Sequence, residues 1–338
     1  MDDAYSEKER FLRIMNKKPV DRASLACPLQ TATVPLMEKT GACWPNANQE
    51  AEPMAELAVA AHDIAGLESV RLPFCLTVEA EALGCPILPG SRISQPSVSA
   101  PVVCDYSDIE KLTVPDPAVT ARMPAVQEAI GIARDKVGED VPIIAGITAP
   151  FTLAGHIRGV ETMLLDMFDN PDFVKDLIIF ATDVAKEYSK ALVDAGADAI
   201  TLIEPSATCE LIGPSDFEQY AAPTIGALSK SIKVPTILHI CGNTTPILPT
   251  LETLDVDAVS IDHVVDVRDA HNTFKDTVLV GNVNPVDVLL FGTPQDVEAE
   301  SLKCLDAGVD ILAPGCGFSP NTPLENMKTF ASCKHHQR

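Results

Sequence analysis

Two ten-residue stretches, VDAGADAITL (193–202) and LDAGVDILAP (305–314), read almost alike: the end of a helical pattern, a small acidic turn, then an apolar run. Looser copies recur as LDVDAVSI (254–261) and IAGLESVRLP (64–73). Repeated junctions of this kind imply parallel strands joined by crossover helices. From residue 140 onward the strand candidates are VPIIAGITAP (141–150), DAITLIEPS (198–206), VPTILHICG (234–242), DAVSIDHVV (257–265), TVLVGNVNP (277–285) and VDILAPGCG (309–317). RASLACPL (22–29) and ESVRLPFC (68–75) raise the count to eight. Eight strands close a (β/α)8 TIM-type barrel, and 338 residues suit that fold with some insertions. The alternative, an open doubly wound sheet, lacks its usual G-x-G-x-x-G after a strand.

The expected organisation is a single barrel domain over 1–338, with an N-terminal helical segment at 1–21. Residues 84–121, rich in Pro and Ser, interrupt the repeat and read as a hairpin plus loop inserted after the second strand. Helix starts are marked by Asn170 with Pro171, by a capping box of Ser215 and Glu218, and by another of Thr322 and Glu325 with Pro323 at the first helical position. No apolar run reaches 18 residues, so no membrane span is expected. The charged start MDDAYSEKERFLRIMNKK lacks the apolar region of a signal peptide, which makes a cytoplasmic location the default. Net charge is −23, from 48 acidic and 25 basic residues, a balance that repels nucleic acid. The ten cysteines lack the spacing of a disulfide framework and read as reduced thiols.

In a barrel of this type, chemistry sits at the C-terminal ends of the strands. The fifth candidate strand ends on His239 and Cys241, which share a face because residues two apart on a strand point the same way. The eighth ends on Cys316 between Gly315 and Gly317, glycines expected to let the backbone bend that side chain toward the axis. Together the three make a Cys2His set for one zinc, with the fourth position open as in catalytic zinc sites. The plain alternative is ordinary packing at a strand end. The terminal SCKHHQR, with His335 and His336, is a separate place where stray metal could bind.

The segments VPTILHICGN (234–243), LVGNVNPVDVLLFGTPQDV (279–297), ILAPGCGFSPNTPLENMKTF (311–330) and PFTLAGHIRGVE (150–161) together resemble the uroporphyrinogen decarboxylase superfamily. LESVRLPFCLTVEAEALGCPI (67–87), with HICG and APGCG, is similar to the methylcobamide:coenzyme M methyltransferases of methylotrophic methanogens, over about residues 10 to 335. Three departures speak against the decarboxylase. PFCLT places Cys75 where the decarboxylase pattern has an aspartate, ACPLQTATVPLMEKTG (26–41) lacks its arginine-rich motif, and GCG replaces its GHG.

What the resemblance implies is methyl transfer from a methylated corrinoid protein to coenzyme M, with a zinc-bound thiolate as nucleophile. Asp262 or Glu204 is then a candidate fourth ligand in the empty enzyme, or else a solvated barrel-mouth carboxylate. Arg71 and Arg158 are candidates for the sulfonate, alongside a helix N-terminus or a role in salt bridges, and His156 could orient a ligand or be a core histidine. The implied cofactor is one zinc per chain, with the methylcobamide brought as substrate on its partner protein. Two other readings compete: a related corrinoid-dependent methyltransferase with a different thiol acceptor, and a non-catalytic barrel that binds a corrinoid protein.

Overall fold

The protein is described by a computed structural model covering residues 3–335, so His336 lies outside the described residues. Seven strands form one parallel sheet: β1 (Val70–Leu72), β4 (Ile143–Thr148), β5 (Ala199–Ile203), β6 (Thr236–His239), β7 (Ala258–Ser260), β8 (Val278–Val283) and β9 (Ile311–Pro314), neighbours in that order. The eighth stave is not a regular strand. Ser24 bridges Ile311 in parallel, Leu312 N–H donates to Ser24 O at 2.8 Å, and Glu68 N–H donates to Leu25 O at 2.9 Å. Residues 24–27 therefore close the sheet between β9 and β1, and the fold is a TIM-type barrel. The ladder stops there for local reasons: Pro28 has no N–H, and Cys27 N–H is taken by Ser69 Oγ at 3.0 Å.

The repeated junction has a concrete job. Just before β5, Asp198 Oδ2 accepts the N–H of Ile143, the first residue of β4, at 2.8 Å. Just before β7, Asp257 does the same for Thr236 of β6 at 2.7 Å, and before β9 Asp310 does so for Leu279 of β8 at 2.9 Å. In the loosest copy a glutamate serves, Glu68 accepting from Leu25 N–H at 3.1 Å. Each acid thus clamps its own strand to the strand before it. In the two closest copies the preceding helix ends on a left-handed glycine, Gly196 and Gly308, both at φ 112.

Alternate residues of each strand face inward. The inner cluster includes Ala26, Ile144, Ala199, Ile237, Ala258, Val280 and Ile311, and it is plugged by Phe11, Ile14 and Met15 of the helix Glu7–Met15. Burying Phe11 and Ile14 contributes roughly 1.5–3 kcal/mol each. The plug is tied down by Arg10, whose guanidinium meets Asp21 at 2.7 and 2.9 Å. That pairing holds the Asp21 carboxyl well below the usual range. The N-terminal end of the barrel is therefore shut, and the C-terminal end is the mouth.

Outside, the helix Pro171–Asp194 shows why these segments pack. Asn170 caps it, Pro171 opens it, and Val174, Leu177, Ile178, Ala181, Ala185, Tyr188 and Leu192 form its buried stripe at helical spacing. The two other expected caps do not form. Pro214 opens the next helix two residues early, with Gly213 at the cap, and a π-turn at Phe217–Ala221 precedes Ala222–Ser231. The last helix starts at Leu324 with Pro323 at its cap, and Thr322 Oγ1 stays buried without a partner. In the insertion, β2 (Ile87–Leu88) and β3 (Ser97–Val98) pair antiparallel. Among the described residues no helix is long and apolar enough to cross a membrane.

Candidate metal centre

His239 is the last residue of β6, fully buried, and the register partner of Ser260 on β7. Its Nδ1 lies 3.1 Å from Ser260 O and 3.1 Å from Ser260 Oγ. A carbonyl oxygen only accepts, so Nδ1 carries the proton and Nε2 keeps its lone pair. That lone pair faces Cys241 Sγ at 3.3 Å, and Cys241 Sγ stands 4.0 Å from Cys316 Sγ. The three donor atoms all lie within 4.8 Å of one another.

These distances can be compared with a zinc tetrahedron. Bond lengths typical of zinc give sulfur–sulfur edges of about 3.8 Å and nitrogen–sulfur edges of about 3.6 Å. The observed 4.0 and 3.3 Å differ from these by a few tenths of an ångström and the third edge lies within 4.8 Å, so the three donors suit the ion with a small closing movement. The charge pattern fits as well. Cys316 is held below the usual thiol range, chiefly by the hydrogen bond from Cys241 and then by His239, while burial opposes the shift. Cys241 is pushed far up by the same pairing and by burial, with Asp262 and Glu210 adding to it. The two sulfurs share one proton, and a second negative charge is repelled unless a cation stands between them.

Glycines flank Cys316 for space. Neither Gly315 nor Gly317 adopts a positive φ. A Cβ on Gly315 would run into the backbone of His263, and one on Gly317 would press on Gln30 at 3.2 Å. The chain after β9 is thus wedged between two neighbouring segments, and that wedge aims Cys316.

The carboxylates stay outside the set of three. Asp262 Oδ2 accepts Gly242 N–H at 2.8 Å, and its Oδ1 meets His263 Nδ1 at 2.7 Å and Val264 N–H at 3.2 Å. It braces the turn that carries Cys241. Glu204 is buried and accepts Phe151 and Thr152 N–H at 3.0 and 2.6 Å, satisfying the first turn of the helix Pro150–Arg158. Burial pushes its carboxyl up to about 7.

Of the two arginines, Arg158 is committed elsewhere, to Asp166 at 2.7 Å and to the carbonyls of Val103 and Cys104. Arg71 lies inside the barrel wall, its Nε donating to Pro28 O at 3.1 Å. His156 is held down to about 4 by burial, and its Nδ1 has no partner. Cys75 is buried against Arg122 Nη1 at 3.4 Å and Thr77 Oγ1 at 3.5 Å, apart from the metal-capable set. Ser260 and the bracing role of Asp262 were not legible as site features. The only signal available was that Ser260 precedes Asp262 by two on a strand, which puts it on the same face.

A family model described as uroporphyrinogen decarboxylase (URO-D) matches residues 6–337. The chain is 42% identical to "Methylcobamide:CoM methyltransferase MtbA" of Methanosarcina mazei, covering 99% of each chain. It is 38% identical to "Methylcobamide:CoM methyltransferase MtaA" of Methanosarcina barkeri, covering 98% of each. A solved structure titled "methyltransferase from Methanosarcina mazei" superposes with a TM-score of 0.95 at 37% identity, over 98% of both chains.

Proposed function

We propose a reaction for this chain from the premise that it belongs to the uroporphyrinogen decarboxylase family and, within it, is a methyltransferase of the methylcobamide:coenzyme M type. The reaction is transfer of a methyl group from a methylcobamide to the thiol of coenzyme M. The observation that carries this reading is the meeting of His239, Cys241 and Cys316 within 4.8 Å at the barrel mouth, a donor set of three. His239, Cys241 and Cys316 would hold a zinc ion, whose positive charge lowers the pKa of a coordinated thiol so that it is ionised near neutrality.

The chain's own residues prepare that chemistry. Ser260 fixes the tautomer and the ring plane of His239, so the nitrogen facing the sulfurs is unprotonated. Asp262 holds the Gly242 turn and with it the position of Cys241. The plug at the far end keeps solvent from reaching the site through the barrel. In the transfer the carbon–sulfur bond forms as the carbon–cobalt bond breaks. The bonding electrons stay with cobalt, which falls from Co(III) to Co(I), and the thiol proton is lost to solvent. A corrinoid is too large for the barrel interior, so its donor methyl would be presented from outside, on a corrinoid protein seated at the mouth.

The test is metal content measured beside methyl transfer from free methylcobalamin to coenzyme M, for the wild type and for Cys316→Ala. One zinc per chain and turnover in the wild type, with metal affinity and rate both falling by 100-fold or more in the variant, is the expected result. A variant that keeps both would remove Cys316 from the site and this reading with it.

A further inference from the structure

A metal ion and a covalent bond compete for the same two atoms. Cys241 Sγ and Cys316 Sγ stand 4.0 Å apart, and both cysteines are half-buried at the mouth. A disulfide holds its sulfurs at about 2.05 Å, so the pair is about 2 Å from a covalent bond. Neither residue is locked into the sheet, because β6 ends at His239 and β9 at Pro314. Gly242 turns the chain after Cys241 at φ 79, while the chain around Cys316 is wedged against His263 and Gln30. Closure therefore falls on side-chain torsions and on the Cys241 turn, with both strands left in place.

The neighbouring thiols are placed differently. Cys27 lies within electrostatic range of Cys316 but is 1% exposed, and its sulfur is turned to Leu29 O at 3.6 Å. Cys75 is buried with its sulfur on Arg122 and Thr77. The floor of the barrel is plugged by the helix Glu7–Met15, so a small reagent enters by the mouth, where Cys241 and Cys316 stand. An ion held there occupies both sulfurs and bars a bond between them. An empty set leaves the bond free to form, and thiols that are partly exposed and already in contact make the labile, reversible kind of disulfide.

We propose that Cys241 and Cys316 form a reversible redox modification site, which a low-molecular-weight disulfide oxidises to an intramolecular disulfide that displaces zinc and switches the enzyme off. The step balances. One cysteine sulfur attacks a sulfur of the reagent R–S–S–R, whose bond breaks as a mixed disulfide forms, and R–SH leaves with the proton of the attacking thiol. The second cysteine sulfur then attacks the first, the protein disulfide forms, and a second R–SH leaves with the remaining proton. Two electrons pass from the protein to the reagent, which ends as two thiols. From the zinc-bound state the same exchange takes its two protons from solvent and releases the ion. His239 is then the one donor left of the three, too few to retain zinc. The proposal rests on the reading above in taking zinc as the ion displaced, and in taking a short thiol as the molecule the mouth admits; the bond itself depends on the two sulfurs alone.

The probe is bis(2-hydroxyethyl) disulfide, added without oxygen to the full chain in metal-free and zinc-loaded form. Remaining thiols are then alkylated and the protein is read by mass spectrometry, with released zinc followed by a coloured chelator. The metal-free wild type should lose two hydrogens, carry no reagent, and yield a cross-linked peptide pair holding Cys241 and Cys316. Dithiothreitol with zinc should restore both the mass and the metal content. The zinc-loaded form should react at least about tenfold more slowly and release one ion for each bond formed. Metal-free Cys316→Ala, which lacks the second sulfur, should keep the reagent as a stable adduct on Cys241. Should that variant fail to fold, Cys241→Ala should keep it on Cys316. A metal-free wild type that holds a stable adduct, cross-links either residue to another cysteine, or retains both thiols would overturn the assignment. A wild type that closes the bond yet never binds zinc would sink the reading above and leave the modification site standing. One that binds zinc but closes no bond in the metal-free form would do the opposite.

Discussion

Glu204 shows how a single side chain can look like a ligand and serve as a cap. In the sequence it ends a strand at the barrel mouth, where a metal-binding carboxylate would also stand. The structure turns it instead onto the N–H groups of Phe151 and Thr152. Burial pushes its carboxyl from the ordinary 4.5 to about 7, so the folded state holds a proton that the unfolded chain has released. The sign follows: the stabilisation is complete below about pH 4.5 and is lost as pH climbs through about 7, amounting to about 3 kcal/mol. Urea midpoints from pH 5 to 8 should fall for the wild type and stay nearly level for Glu204→Gln, and parallel profiles would contradict this account. Residue types and strand spacing alone made His239 and Cys241 readable as a pair. Ser260 was not readable in that way, because its contact with His239 crosses two strands and depends on their register. Arg158 shows the same limit, since nothing in PFTLAGHIRGVE reveals that Asp166 will claim it.

At the scale of elements, the repeated junction is both what made the fold legible and what holds the strands in pairs. Glu68, Asp198, Asp257 and Asp310 each satisfy a main-chain donor of the preceding strand. Removing one carboxylate leaves a donor unsatisfied at the barrel's closed end, at a cost of about 1–3 kcal/mol. Asp310→Ala should therefore lower the urea midpoint without changing the slope, and Asp310→Ala combined with Asp257→Ala should give close to the sum, because the two clamps share no partner. An unchanged midpoint in Asp310→Ala would reduce the motif to turn chemistry. The elements that were misread failed where proline intervened. Pro28 cuts short the first stave, and Pro214 and Pro323 shift two helix starts away from the expected caps. At Pro28 the missing N–H ends the ladder and at Pro214 the fixed φ suits a first helical position, whereas Pro323, expected at the first helical position, stands at the cap itself.

For the molecule as a whole, a net charge of −23 means self-repulsion spread over the surface of the folded chain. Raising ionic strength from about 0.01 M to about 0.15 M shortens the screening length from about 30 Å to about 8 Å. Sodium chloride over that range should raise the melting temperature, and a flat or falling response would mean that ion pairs such as those of Arg10 and Arg22 outweigh the repulsion. The helix Glu7–Met15, lodged in the floor of the barrel, has a further consequence. It turns the interior into a blind well open at one end. If a bulky donor seats on that opening, traffic acquires an order: the small acceptor must be inside before the donor arrives, and the methylated product must wait for the donor to leave. Turnover would then be a queue at one door, and the rate of undocking would set its pace.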